Sequence, residues 1–405
     1  MTSSRKGYHY RLAVVNSHPI QYFAPLYRRI AASPDIEIQV YYCSRQGQDA
    51  GFIDPGFGKE IVWDVPLLEG YPYKFLANVG RDRGARDFFS LINPSIVAEL
   101  RRERFDAVIV HGHNSVVNLL ALLAAKTSGT RIFMRGETHL QLRSHPLKRA
   151  LRRPLLGLLY AMCDAFLCIG TRNREFYLAQ GVPTRKLFLV PYAVDNQAFA
   201  ARAQASVTDS AMRRSALGLP PDMPVILYAS KLTARKRPRD LVRARAELDR
   251  RGIRAALLIV GDGEERAALK REVKSSGLMH IVFPGFVNQA DLPLYYALAD
   301  VFVLPSEDEP WGLAINEAMA CGVPVVTTRE VGAAADLVQD GETGYTYEAG
   351  DIVALADALA KVLVDRSSGK AMRQKSEQRM VLWSYDQTVT GIREALQTIP
   401  PRTRS

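Results

Sequence analysis

Short apolar runs alternate with stretches of helical spacing along the whole chain. In the first half, residues 11–15, 36–42, 106–110, 131–134, 165–169 and 187–190 have the length and β-branching of buried strands. Between them, residues 21–31, 94–104, 114–126 and those after Thr171 fit helices, with Asn114 placed to cap its own. Residues 47–86 break this rhythm. They are rich in Gly, Asp, Pro and aromatic side chains and read as a long irregular insertion, a kind of loop that often carries function.

Residues 191–219 read as a crossover, with a short helix over 212–217. A fresh series follows, with strands at 225–229, 255–260, 281–283, 301–304 and 324–328. Residues 313–320 suit a short helix, and Gly322 follows it as a terminating glycine should. Residues 331–338 form a helical turn, 341–344 a tight loop, and 351–364, 374–383 and 385–396 helices. Strands alternating with helices predict an α/β protein with parallel, doubly wound sheets. Domains are expected over 1–195 and 196–380, with 381–405 as a terminal helical segment.

Ligands of such sheets bind beyond the carboxyl ends of the strands. His18, His111 with His113, and Arg135 with Glu137 all directly follow strands of the first half, so they should share one crevice wall. In the second half the equivalent loops carry Lys231 and Lys236, then Gly261-Asp262-Gly263, then Gly285-Phe286-Val287, then Glu307-Asp308-Glu309. A helix beginning near Gly312 points its free N–H groups into that last, acidic loop and favours an anion there.

Composition narrows the classes. At 405 residues, 47% hydrophobic and 23% charged, the chain can bury two cores. Its four cysteines, Cys43, Cys163, Cys168 and Cys321, include no C-x-x-C pair. That argues against a disulfide framework or a zinc knuckle and fits a reducing cytoplasm. No apolar run approaches the length of a membrane span, and residues 11–15 are too short for a signal core. The net charge of +11 suits nucleic acid, an anionic membrane face or a phosphorylated substrate. No nucleic-acid module is evident and aromatic residues do not interleave the basic runs, so no nucleic-acid partner is expected. A diphosphate substrate or a membrane surface remains.

Glu309-Pro310-Trp311-Gly312-Leu313-Ala314-Ile315-Asn316-Glu317, continued by Ala318-Met319-Ala320-Cys321-Gly322-Val323-Pro324-Val325-Val326, resembles the E-x7-E donor motif of the retaining glycosyltransferases of family 4. The flanking residues match as well as the two glutamates. The resemblance implies the GT-B fold, two Rossmann-like domains facing across a cleft, with the last helix crossing back to the first domain. It also implies sugar transfer from a nucleotide-diphosphate sugar, UDP in preference to GDP, to a glycan or lipid-linked acceptor, as in cell-surface polysaccharide synthesis. No cofactor or metal is implied, since the nucleotide sugar is a substrate. By resemblance Glu309 contacts the transferred sugar, Glu317 the ribose hydroxyls, and the N–H groups of Gly312 and Leu313 the diphosphate. Lys231 and Lys236 match the family's phosphate motif, with lysine where arginine is usual and Arg237 where glycine is common. Phe286 lies in the stretch that holds the base, largely by backbone, and Gly263 in a turn needed for close approach.

The first half matches more loosely. His18 admits contact with phosphate or acceptor, or a structural cap. Arg135 stands where the family often has a histidine, which leaves Glu137 or His139 as substitutes or supports. His113 with His111 resembles a strand-end pair; a metal would need a third ligand that the pattern lacks. Residues 147–160 place Leu147, Leu151, Leu155, Leu158 and Leu159 on one helical face with Lys148, Arg149, Arg152 and Arg153 opposite. This fits a helix packed on its own domain, or one docked on an anionic membrane from the cytoplasmic side. Competing functions are a sugar-nucleotide epimerase of the same fold, a non-catalytic sugar-nucleotide sensor, and a basic nucleic-acid scaffold.

Overall fold

The computed structural model describes residues 9–48, 53–54, 56–80, 87–142 and 146–400. Two large all-parallel sheets organise the two halves of the chain. The first runs in spatial order Tyr73–Phe75, Ile36–Tyr42, Tyr10–Asn16, Ala107–His111, Arg131–Arg135, Ala165–Cys168 and Leu187–Leu189. The second runs Ile281–Gly285, Ala256–Val260, Val225–Ala229, Val301–Leu304, Val325–Thr328 and Gly344–Tyr347. Central strands such as Val225–Ala229 and Val301–Leu304 are buried at every position. Helices cover both their faces, which is why they read as unbroken apolar runs rather than alternating ones. In each sheet the order reverses beside the first strand, and ligands of doubly wound sheets lie at that reversal. Together these features make the fold GT-B.

Some elements differ from the sequence expectation. Residues 47–86 are not wholly irregular. Tyr73–Phe75 pairs in parallel with Ile36–Tyr42 as an edge strand, and Ile53–Asp54 pairs with Lys59–Glu60 as a small antiparallel hairpin. The first helix starts at Ala24, with Pro25 in its first turn, rather than at Gln21. Ser115, not Asn114, precedes the helix Val116–Ser128, and no side chain caps it. The crossover contains the helix Asn196–Ala205, whose cap is Asp195 accepting from the Ala198 N–H at 3.0 Å. Residues 374–383 fall within and beyond the longer helix Arg366–Met380.

The last helix, Tyr385–Gln397, packs on Ala24–Ala31 and on the edge strand Leu187–Leu189 of the first sheet. Arg393 pairs with Asp35 at 2.6 Å, Tyr385 donates to the Tyr22 carbonyl at 2.8 Å, and Thr388 to the Pro191 carbonyl at 2.8 Å. No helix among the described residues is long and apolar enough to cross a membrane. In helix Pro146–Met162, Leu155 and Leu158 are 67% and 68% exposed, while Leu156 and Leu159 pack on the first core. The leucines from 155 onward therefore do not share one buried face. The side chains of Leu147, Lys148, Arg149, Leu151, Arg152 and Arg153 lie outside the described residues.

Candidate active site

A cavity of about 440 Å³ opens between the two sheets. Its wall takes Lys231, Lys236, Glu309, Gly312, Leu313, Glu317 and Phe286 from the second half, and Tyr22, Asp54, Glu137 and Tyr192 from the first. Lys231 and Lys236 follow the first strand of the second sheet, and Glu309 follows its neighbour across the reversal. Eight candidate residues named from the sequence, Glu137 among them, thus converge on one cleft.

Lys236 is buried and its Nζ contacts Glu309 Oε2. Burial holds its ammonium below the usual range, while Glu309 pulls it back up. Glu309 also has Arg235 at 3.8 Å and Ser306 Oγ at 3.5 Å, and its carbonyl meets His139 Nε2 at 3.0 Å. Arg237 follows Lys236 with φ 50°, in the left-handed region where glycine is at ease. Its guanidinium holds that turn through Glu307 at 2.9 Å and Asp240 at 2.6 Å.

Gly312 precedes the helix Leu313–Ala320 with φ 98°, and a Cβ there would lie 2.9 Å from Val331 Cγ1. The glycine lets the helix start against the cleft, and Leu313 and Ala314 line the cavity at its positive end. Glu317, one turn deeper, is 2% exposed. Its Oε1 accepts from Tyr22 at 3.0 Å and Gln289 at 3.1 Å, and Oε2 from Tyr296 at 2.8 Å. Burial pushes this carboxyl up, and those three donors oppose the shift. With two donors already on Oε1, only Oε2 keeps ready acceptor capacity for a ligand hydroxyl.

The hairpin of the first half reaches over these groups. Asp54 pairs with Lys231 Nζ at 2.8 Å, and Lys59 with Asp262 at 3.0 Å. Phe57 meets Phe286 edge-on at 4.9 Å, and Trp63 lies 6.4 Å from the same ring. Phe286 therefore contributes an aromatic face to the cleft as well as backbone, a contact its sequence neighbours do not signal. Gly263 stands behind the cavity rather than in its wall. Its φ is 149°, and a Cβ would come within 2.5 Å of the Leu232 carbonyl.

The remaining first-half candidates divide. His18 lines neither cavity described here; it is half-buried, accepts or donates to Ser17 Oγ at 2.9 Å, and burial brings its pKa down to about 4. His113 and Arg135 line a second cavity of about 290 Å³, and Glu137 lines both. Burial pushes the Glu137 carboxyl up, while a hydrogen bond from Tyr192 and the Arg135 charge counter the shift. Among the described residues no group of three or more His, Cys, Asp and Glu side chains is arranged to hold a metal. Sequence reasoning missed Asp54, Phe57, Tyr22 and Tyr192, which enter from segments far away in the chain.

Two family models match in tandem: the Glycosyl transferase 4-like domain over residues 42–193 and Glycosyl transferases group 1 over 209–379. The chain is 34% identical over 217 residues to a GDP-mannose-dependent alpha-(1-6)-phosphatidylinositol monomannoside mannosyltransferase of Mycolicibacterium smegmatis, covering 52% of this chain and 55% of that protein. The Mycobacterium tuberculosis protein of the same description is 32% identical over 243 residues, covering 58% of this chain and 62% of that one. The chain thus spans only 55–62% of these relatives' lengths. Sulfoquinovosyl transferase SQD2 of Arabidopsis thaliana is 28% identical over 343 residues, 79% of this chain and 64% of that protein. In fold, the chain superimposes on Anabaena HepE in complex with UDP and glucose with a TM-score of 0.73 at 17% identity, covering 96% and 100% of the two chains. Sucrose-phosphate synthase from Thermosynechococcus elongatus gives 0.71 at 21%, covering 96% and 99%.

Proposed function

The chain belongs to the group 1 glycosyl transferases with a family 4-like first half, and from that premise we propose that it transfers a sugar from a nucleotide-diphosphate sugar to a hydroxyl acceptor. The observation that carries this reading is the convergence of Lys231, Lys236, Glu309, Glu317 and the helix start at Gly312 on one 440 Å³ cleft. Leaving-group departure develops charge on a diphosphate, and cations and oriented N–H groups stabilise it. Lys236, Lys231 and the N-terminus of Leu313–Ala320 supply that positive charge, so the reading assigns no metal to the step. Glu309 faces the transferred sugar, and Glu317 offers its remaining Oε2 capacity to the ribose.

In this reading transfer is retaining and proceeds on one face of the sugar. The bond from the anomeric carbon to the leaving phosphate breaks as the bond to the acceptor oxygen forms. The acceptor proton goes to the departing phosphate. UDP is the preferred nucleotide by resemblance, and the GDP-mannose-dependent relatives make GDP the alternative. The acceptor is a glycan or lipid-linked molecule. Exposed Leu155 and Leu158 on a helix that also carries four cations favour docking at an anionic membrane face; loss of vesicle sedimentation in an L155Q/L158Q variant would support this, and unchanged sedimentation would contradict it.

Incubation with UDP- and GDP-sugars, with and without chelator, tests the activity. Nucleoside diphosphate release that needs an acceptor extract and is abolished by Glu309→Ala is the expected result. Turnover of donor to an isomer without acceptor would favour the epimerase, and no turnover with intact nucleotide binding the sensor.

A further inference from the structure

The second cavity, of about 290 Å³, lies at the carboxyl ends of Ala107–His111 and Arg131–Arg135 and is lined by His111, His113, Arg135, Glu137 and Tyr160 among others. Arg135 is 4% exposed. Its guanidinium lies beside the stacked rings of Phe23 and Tyr192, 5.9 and 5.3 Å from centroids that are themselves 5.9 Å apart. Nη1 donates to the Val190 carbonyl at 3.3 Å, and Nε has no hydrogen-bond partner. Among the described residues no carboxylate lies within ion-pair distance of it. A buried cation with no carboxylate in direct contact is costly, and proteins rarely keep one that nothing uses.

Among the described residues no neighbour forms a direct ion pair with it. His111 is pushed down to about 3 by burial and by the Arg135 charge, so it stays neutral. Burial pushes the Glu137 carboxyl up, while the Tyr192 hydrogen bond and the Arg135 charge hold it down, and it makes no ion pair with Arg135. Glu137 and Pro310 also line the donor cleft, so the two cavities meet at them. A molecule held in the second cavity would reach the first past Glu137.

We propose that this cavity is the acceptor subsite and that it takes an acceptor bearing an anionic group, a carboxylate or a phosphate ester, with Arg135 as its counter-ion. The planar guanidinium can present two parallel N–H donors to either group, and lysine could not. The acceptor hydroxyl then enters the donor cleft beside Glu137. The subsite rests on the glycosyltransferase reading for its role, but the anion site itself can be tested apart from that reading.

The test is a thermal-shift titration of the full chain already saturated with UDP or GDP, so that Lys231 and Lys236 are occupied. Inorganic phosphate, glycerol 3-phosphate and L-malate are added against chloride at equal ionic strength. At least one should raise the melting temperature further. In Arg135→Met the nucleotide shift stays and the second shift is lost or weakened about 10- to 100-fold in apparent affinity, whereas Arg135→Lys keeps part of it. Without ligand, Arg135→Met should melt at or above the wild type, because an unpaired buried charge is gone. A response to glycerol 3-phosphate or phosphate would assign a phosphate-bearing acceptor, and a response to malate alone a carboxylate. The proposal is overturned if no anion shifts the wild type, if Arg135→Met keeps the second shift, or if Arg135→Met melts lower, as a purely structural group packed against Phe23 and Tyr192 would. If no nucleotide shifts the protein, the donor reading fails by itself. The anion titration then runs on the free protein, where a phosphate shift lost in Arg135→Met but kept in Lys236→Met still assigns the site.

Discussion

Replacing Lys236 by methionine separates what the buried pair does for stability from what it does for binding. The side chains of Lys236 and Glu309 are 9% and 11% exposed. Removing the ammonium leaves a carboxylate in a largely desolvated wall, and breaking such a pair costs about 3–5 kcal/mol. Arg235 at 3.8 Å still faces Glu309 Oε2, but its side chain is 48% exposed and solvent screens it. The expected loss is therefore at the lower end, about 3 kcal/mol, or roughly 6–12 °C in the transition of the half that carries the pair. Glu309→Gln should also destabilise, because it strands the buried ammonium. The double variant K236M/E309Q removes both charges and should recover most of the loss, giving a coupling of about 3 kcal/mol by scanning calorimetry. Nucleoside diphosphate binding should not recover in the double variant, since the cation facing the phosphates is absent in it. Additive losses in stability would refute the coupled-pair account, and recovered binding would refute the phosphate role of Lys236.

Other consequences follow from neighbouring contacts. Asp54 occupies Lys231 at 2.8 and 3.0 Å, so a diphosphate must displace it; Asp54→Asn should tighten UDP or GDP binding several-fold by calorimetric titration, and equal or weaker binding would sink the idea. His111 has a folded pKa of about 3 against 6.5 when free, so its contribution is full above pH 6.5 and is lost as pH falls towards 3. At about pH 5 this alone removes about 1–2 kcal/mol, with His18, down at about 4, acting in the same direction. His111→Gln should flatten the fall of urea midpoints between about pH 7 and 5, and an unchanged slope would contradict the assignment. Gly312→Ala meets Val331 and Leu304 at 2.9 and 3.0 Å with φ 98°; it should cost about 1–3 kcal/mol and weaken nucleotide binding, and a variant with wild-type melting and binding would show that the helix start is not constrained there.

The central strands were legible because burial on both faces leaves a plain apolar signal, as in Val-Ile-Leu-Tyr-Ala at 225–229. The cluster on the second-half wall of the cleft was legible because Glu309, Gly312 and Glu317 sit in one short frame. Elements without such a signal were missed. Tyr73–Phe75 is an exposed edge strand of three residues, specified only by its pairing with Ile36–Tyr42. Gly344–Tyr347 was hidden behind the tight loop that precedes it. The helix Asn196–Ala205 has no clear apolar face, and its Asp195 cap emerges only from the structure. The hairpin at 53–60 matters through Lys231, which lies 177 residues from Asp54, and no local pattern carries that pairing. Likewise Glu317 draws its donors from Tyr22, Gln289 and Tyr296, three separate segments. Arg135 was visible as a departure from the expected histidine, but its burial with an unpartnered Nε is a property of the fold alone.

The central claim is that the cleft between the sheets binds a nucleoside diphosphate through Lys236 and its neighbours. Equilibrium titration of UDP and GDP into the wild type and Lys236→Met, each in the presence of chelator, tests it most directly. The account predicts that one of the two nucleotides binds the wild type without metal and binds Lys236→Met about 10- to 100-fold more weakly. Absence of binding by both nucleotides, or equal affinity for the two proteins, would contradict it.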